Sequence, residues 1–358
     1  MSNSPYRGLP SFAWWKAGVV ESNELHPIAT AKFRIDRDTK IATCGSCFAQ
    51  HLGPALVRGG HSYFVAEPAP ALFKPEEARD YHYGIFSARF GNVYTSRAFC
   101  QVLERAFGVS SSDEPPWNTE RGRVIDPLRP GVHPGGFSNV HEMLFDRGHH
   151  EASVRALVEN LDVLVLTLGL TEMWERRSDG TALPACPGTI GGSYDPELYA
   201  FRNLSYEEVV ADLERAVTLI SRHNPRAKLL LSVSPVPLIA SYSGDHVLAA
   251  TTRSKSVLRA AAEALRQRHA QVDYLPAFEI VANPWRRERY FADDLRSVRP
   301  EGVAAVMRCF FAAFSSDPPR PDEHRKPDSS SIAAREDDDL IAVLCDEDRL
   351  REAYGDSA

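Results

Sequence analysis

At 358 residues, with 43% apolar and 25% charged side chains, the chain is long enough for one large domain or two small ones and has the make-up of a soluble globular protein with a sizeable core. Its formal charge of −7 lies wholly at the end: residues 317–358 carry 13 acidic and 6 basic side chains, which leaves residues 1–316 with 35 of each. A neutral body without a basic stripe argues against nucleic-acid partners, and the lack of a basic-then-apolar leader or of about 18 uninterrupted apolar residues leads to the expectation of a cytoplasmic protein with no membrane segment.

In chain order, residues 1–30 hold Trp14 and Trp15 beside Pro and Gly without a sustained period, and read as an arm packed on the body with the aromatic pair as surface-covering anchors. Lys40 to Gln50 follows. A short apolar run ends in small residues, Gly45-Ser46 makes a turn, and Phe48, Ala49, Leu52, Ala55 and Leu56 recur at helical spacing, which predicts strand, tight turn and a helix over 47–58 ended by Gly59-Gly60. This geometry sets the side chain of Cys47 at the carboxyl edge of a sheet beside a helix start, where thiolate is favoured over thiol, so Cys47 is a candidate acyl-transfer nucleophile. The plainer alternative is a small buried residue filling a tight turn. Of the six cysteines only Cys44 and Cys47 form a Cys-x-x-Cys pair. Zinc would need a second pair of soft ligands, and a redox dithiol would need both thiols at the helix start, whereas Cys44 falls on the strand; neither a metal nor a cofactor is expected.

His61 to Val65 alternates and predicts a second strand, leading into a Pro-rich connection at 67–75. Tyr81 to Thr95 is rich in aromatics and punctuated by Gly84 and Gly91; Arg97 to Phe107 predicts a helix; residues 110–150 read as a long irregular stretch of the kind that often binds ligands. Leu161 to Glu172 is a near-continuous branched apolar run with Gly169 at its exit, as in a central parallel strand covered on both faces. Residues 175–204 are polar and glycine-rich but lack a phosphate-binding G-x-x-x-x-G-K word, and read as a surface insertion. A capping box at Ser205 and Glu208 opens a helix that ends at Asn224-Pro225; strand Lys228–Val233, the turn Ser234–Pro237, a helix over 253–269 and a strand from Val272 complete the pattern. Strands alternating with helices at this spacing give right-handed crossovers and an α/β fold: a three-layer α/β/α sandwich with a parallel five-stranded sheet, flavodoxin-like in type. The body therefore spans 31–315, and the tail 316–358 is expected to be a largely disordered, solvated segment, with a short amphipathic helix over 340–354 that docks on the body or on a protein partner as the alternative.

The word Gly45-Ser46-Cys47-Phe48-Ala49 resembles the name-giving motif of the GSCFA family, which is grouped with the SGNH (GDSL-like) hydrolases. In those enzymes the first block is Gly-Asp-Ser-Leu with serine as nucleophile. The resemblance puts Ser46 at the Asp place and Cys47 at the nucleophile place. The glycine word at 81–95 resembles the family's second block, which implies Gly84 as a backbone donor to an oxyanion; a glycine needed only for a turn is the alternative. At the third block, Gly169 stands in register, Thr171 at the Asn place and Glu172 at the Asp place, which implies a hydroxyl donor at Thr171 unless that residue serves packing.

The last block departs from the pattern. Asp294 and Gly302 fall in register, but Ser297 stands where the catalytic histidine belongs and has no useful basicity near neutral pH. Three readings stay open. His246, after the Pro235–Pro237 loop, is the leading replacement, with His133 and His141 behind it; or Cys47 needs less help than a serine, with Asp293 or Asp294 positioning a partner; or catalysis is lost and ligand binding kept. The resemblance implies an esterase or acyltransferase acting through Cys47, His246, Asp294 and Ser46, with Gly84, Gly169, Thr171 and Glu172 around an O-acyl ester of a small molecule or glycan. The alternative is a silent binding module on the same scaffold.

Overall fold

Short apolar runs, each handing over to a helix, build the centre of the molecule. In this computed structural model, which describes residues 4–20, 28–119 and 121–317, the elements follow the expected alternation. They are β1 (Ile41–Gly45), a 3-10 turn Cys47–His51 running into α1 (Leu52–Arg58), α2 (Pro75–Asp80), α3 (Ser96–Ala106), the two-residue strands β2 (Trp117–Asn118) and β3 (Val124–Ile125), α4 (Val140–Asn160), β4 (Val163–Leu168), β5 (Glu172–Arg176), β6 (Ala182–Leu183), β7 (Tyr199–Asn203), α5 (Tyr206–His223), β8 (Lys228–Val233), α6 (Val247–Arg268), β9 (Val272–Leu275), α7 (Ala277–Val281), α8 (Arg287–Tyr290) and α9 (Pro300–Ala313).

The central sheet runs β1-β4-β8-β9 with every pair parallel, and its register sets Gly45 beside Thr167 and Leu168 beside Val233. Every residue of β1, β4 and β9 is buried, as a sheet covered on both faces requires. Helices α3 to α6 pack on one another as one layer, while α7 to α9 form the other, where Phe311 of α9 meets Gly59 at the end of α1. The fold is thus the expected three-layer α/β/α sandwich, with four hydrogen-bonded parallel strands rather than five. The segment expected as the fifth adds a single parallel bridge, Tyr63 to Ile41. Its continuation is blocked because Ser87 occupies the next position along β1: Thr43 N–H donates to Ser87 Oγ and Ser87 N–H donates to the Thr43 carbonyl. Counting that bridge, the order is 2-1-3-4-5, and the order reverses between β1 and β4.

Five local readings change. The first turn of the Cys47 helix is 3-10, with Ala49 N–H donating to the Ser46 carbonyl and Leu52 N–H to the Ala49 carbonyl. Inside the stretch read as irregular, α4 begins at Val140, with Asn139 as its cap accepting from Glu142 N–H. Its period is blurred because Val140, Leu144 and Phe145 remain 44%, 50% and 75% exposed. Helix α6 begins at Val247, six residues before the expected start, and the insertion at 172–203 holds a small antiparallel sheet, β6-β5-β7. Trp14 and Trp15 stay 48% and 61% exposed, with Trp15 edge-on to Trp285, so the arm covers less surface than expected. The tail from 318 and its 340–354 segment lie outside the described residues. Among the described residues no helix is long and apolar enough to cross a membrane.

A buried ionic network fixes the glycine-containing stretch against the 126–132 loop and α4. Arg89, 2% exposed, donates to the Tyr81 and Val132 carbonyls and to Asp146 (2.6 Å), while its own N–H reaches Glu67. Asp126 pairs with Arg129 and Arg147, and Arg129 also reaches Asp146. Burial alone would raise the Asp126 carboxyl, but the charges of Arg129 and Arg147 outweigh it and hold the group down at about 2, against an ordinary 3.8. Glu67 is held at about 2, against an ordinary 4.5: burial opposes this, and the His150 hydrogen bond together with the Arg129 charge overcomes it. Both folded values are depressed, so their stabilisation is complete above about pH 4.5 and disappears as pH falls toward 2. Each is worth on the order of 2–3 kcal/mol. Urea titrations between pH 6 and pH 2 should therefore show a steep fall in stability across about pH 4.5 to 2. At neutral pH, Arg129→Met should cost about 3–5 kcal/mol, because buried Asp126 keeps only Arg147 and Asp146 loses one of its two arginine partners.

Candidate active site

At the end of β1 the chain turns on Gly45, whose φ of +138° is closed to other L-residues and whose missing Cβ would stand 2.3 Å from the Thr167 carbonyl oxygen. Ser46 is extended and donates its N–H to that same carbonyl (3.0 Å), while its own carbonyl accepts from Ala49 N–H (2.9 Å) and opens the helical turn. Cys47 is therefore the first helical residue, 5% exposed, at the carboxyl end of the sheet where strand order reverses. Cys44 is sealed within β1 at 0% exposure, and burial pushes its thiol far above the ordinary range.

Cys47 lines a small cleft, with about 10 Å³ of water-sized space, together with Ser46, with Gly169 after β4, with Ser234 and the 236–238 loop after β8, and with Tyr94 and Lys255. The walls are tied by backbone. The Tyr94 carbonyl accepts from Gly169 and Leu170 N–H (2.9 and 3.1 Å), Val93 N–H donates to the Gly45 carbonyl (2.9 Å), and Ser234 N–H donates to the Leu168 carbonyl (2.8 Å). A Cβ on Gly169 would lie 2.9 Å from Ser46 Cβ, so only glycine lets β4 end this close to the Cys47 turn. Lys255 is 2% exposed and donates from Nζ to the Gly169 carbonyl at 2.5 Å. Sequence reasoning passed over it, yet a signal existed: the lysine stands in register with the buried stripe of α6 formed by Leu258, Ala261, Ala262 and Leu265.

Of the residues expected around the site, the structure brings Cys47, Ser46 and Gly169 together and sends the others elsewhere. The Thr171 hydroxyl donates to Asn203 Oδ1 (2.7 Å) and accepts from Arg253, so its single hydrogen is engaged away from an oxyanion. The Glu172 carboxylate accepts from the Ser241 hydroxyl (2.7 Å) and Tyr242 N–H (3.3 Å), pinning the loop that follows β8. Gly84 has φ +73° and is exposed in the turn after α2; the part of its word that reaches the cleft is Tyr94. Beside it, Asn92 Oδ1 accepts from the Gln50 amide (2.9 Å), fastening that word to the Cys47 helix.

His246 caps α6, its exposed ring accepting from Leu248 N–H (3.2 Å), roughly 13 Å along the helix from Lys255. Asp294 closes a turn on itself, accepting from Arg296 N–H, Ser297 N–H and the Ser297 hydroxyl (2.6 Å). Neither residue lines the cleft. His133 packs between Tyr81 and Phe137, and His141 is exposed. The imidazole closest in sequence is His51, which burial first, and then Arg58 and Arg79, push down to about 4, so it is neutral at physiological pH. Among the described residues no cluster of three or more His, Cys, Asp or Glu side chains could hold a metal ion.

No curated protein matches this chain. Solved structures with weak likeness include the salicylyl-acyltransferase SsfX3 from a tetracycline biosynthetic pathway, at 19% identity over 47% of this chain and 42% of that chain with TM-score 0.27. An inhibitor-bound aryl esterase of M. smegmatis is 12% identical over 75% of this chain and 97% of that chain, with TM-score 0.30. A carbohydrate esterase family 2 enzyme from Corynascus thermopiles, carrying a carbohydrate binding domain, is 14% identical over 80% of this chain and 67% of that chain, also with TM-score 0.30. The chain spans less than half the length of the acyltransferase it resembles. The GSCFA family pattern matches residues 40–310, from the strand that delivers Cys47 through to α9, and the chain belongs to the GSCFA family.

Proposed function

We propose that this protein is an SGNH-like esterase or acyltransferase in which Cys47 attacks an O-acyl ester carried by a carbohydrate or another small molecule. The observation that carries the reading is the position of the thiol: it is the cysteine that lines the cleft, at the first residue of a helical turn, where the sheet order reverses. Attack of the Cys47 thiolate on the ester carbonyl forms a thioester and releases the alcohol; water or a second alcohol then takes the acyl group and restores the thiol. The oxyanion falls to the backbone N–H groups at the helix start, because the Thr171 hydroxyl is engaged with Asn203. Kinship of the family with the SGNH hydrolases supports the same chemistry.

One observation favours a second reading, a catalytically silent binding module: among the described residues no imidazole lines the cleft. Intact-mass measurement after incubation with an activated short-chain ester separates the two. Wild type should gain one acyl group and Cys47→Ala none; equal labelling of both proteins, or of neither, would sink acyl transfer through this thiol.

A further inference from the structure

The cleft contains a lysine amine that the fold buries at some cost. Lys255 is 2% exposed within the apolar stripe of α6, and taking a full charge out of water costs several kcal/mol unless something is gained. Satisfying the Gly169 carbonyl needs no charge. A neutral hydroxyl does the equivalent task one strand away, where Ser232 Oγ donates to the Leu275 carbonyl at 2.8 Å. The location is what distinguishes Lys255: its Nζ sits 2.5 Å from the carbonyl of Gly169, and Gly169 is the residue packed directly against Ser46, the neighbour of Cys47.

The other charged and titratable groups around Cys47 can be assigned element by element. Besides Cys47 and Lys255, Tyr94 is the titratable side chain in the cleft wall. On β1, Cys44 is sealed and kept as a thiol by burial; on the Cys47 helix, His51 is kept neutral. On α6, Arg253 turns toward Thr171, Asn203 and the Leu204 carbonyl. After β4, Glu172 is held by Ser241 and Tyr242, and in the glycine word Arg89 is bound to Glu67 and Asp146. The lining residues of the loop after β8 carry no charge.

We propose that Lys255 is the proton carrier for Cys47, the task that related hydrolases give to a histidine. In the resting site the thiol proton resides on the amine, giving thiolate and ammonium. The thiolate sulfur bonds to the ester carbonyl carbon, the carbon–oxygen bond breaks, and the ammonium hands one proton to the departing alkoxide. The neutral amine then takes the proton of the incoming water or alcohol as its oxygen bonds to the thioester carbon and the carbon–sulfur bond breaks. This restores the original pair, so no proton is gained or lost over the cycle.

The inference rests on Cys47 as the reactive thiol but not on an ester being the substrate, so it is tested first without one. Iodoacetamide alkylation of the full chain, with the Cys47 adduct read by peptide mass, is followed from about pH 5 to about pH 10. Wild type should reach half-maximal rate below the roughly 8.5 of a free thiol. Lys255→Met should move that midpoint up by about one unit or more, slowing alkylation at neutral pH about tenfold. An unmoved midpoint in folded Lys255→Met overturns the proposal.

Lys255→Arg keeps the charge but cannot release its proton, so it should alkylate like wild type yet turn over an activated ester about 10²-fold more slowly. An arginine variant that turns over at the wild-type rate overturns the proposal even if the methionine variant does not fold. A Lys255-dependent midpoint without any acylation of Cys47 would leave the pair standing and remove the ester reading. Acylation with an unmoved midpoint would do the reverse.

Discussion

Cys47→Ser is expected to fold like wild type and to lose about 10²–10⁴-fold of its acyl-transfer rate. The two side chains are close in size, and the site is a small-residue turn whose hydrogen bonds, Ser46 N–H to Thr167 and Ala49 N–H to Ser46, are made by backbone. A hydroxyl ionises far less readily than a thiol. Serine therefore depends on a strong general base, and among the described residues the cleft wall offers Tyr94 and Lys255 but no imidazole. Steady-state hydrolysis of an activated ester by the two proteins checks this, with thermal unfolding as the control for fold. A serine variant that works at the wild-type rate would mean that the chemistry does not depend on thiolate character.

Gly45→Ala is expected to be strongly destabilising. Two costs combine at this position. A side chain at φ +138° strains the backbone by about 1–3 kcal/mol, and a methyl group 2.3 Å from the Thr167 carbonyl oxygen must push β1 away from β4, adding a further few kcal/mol. Against a total of about 5–15 kcal/mol for a typical domain, this should lower Tm by on the order of 10 °C or leave the protein insoluble. Gly108→Ala is the informative comparison. Its φ is +67° and nothing lies within 4 Å of the added carbon, so it carries backbone strain alone and should cost about 1 kcal/mol. If the two variants melted together, the close approach of β1 to β4 at Thr167 would not be the controlling contact.

The strand–turn–helix around Cys47 was legible because its signals are local: an apolar run, then Gly45-Ser46, then apolar residues at helical spacing. The central position of β4 was legible for a similar reason, since its run of branched residues suits burial on both faces only. The fifth strand was not. His61 to Val65 has a strand-like pattern, but whether it pairs depends on Ser87 reaching Thr43 across 44 residues. Thr171 and His246 mislead for the same reason. Thr171 stands where a donor was expected, but its hydrogen is turned toward Asn203, 32 residues on; His246 follows a strand that points at the site, but it serves as the cap of α6.

The sequence by itself determined the alternation of strands and helices, the turn at Gly45-Ser46, and the delivery of Cys47 to the carboxyl edge of the sheet, because periodicity and turn chemistry act over a few neighbouring residues. The tertiary structure alone decided which side chains meet that sulfur. Lys255 enters the cleft because α6 lays its buried stripe against the strand ends, whereas Asp294 and His246 are held elsewhere by hydrogen bonds to their own turns. Partner choice across tens of residues is set by packing and by competition for donors and acceptors, and spacing along the chain carries little record of either.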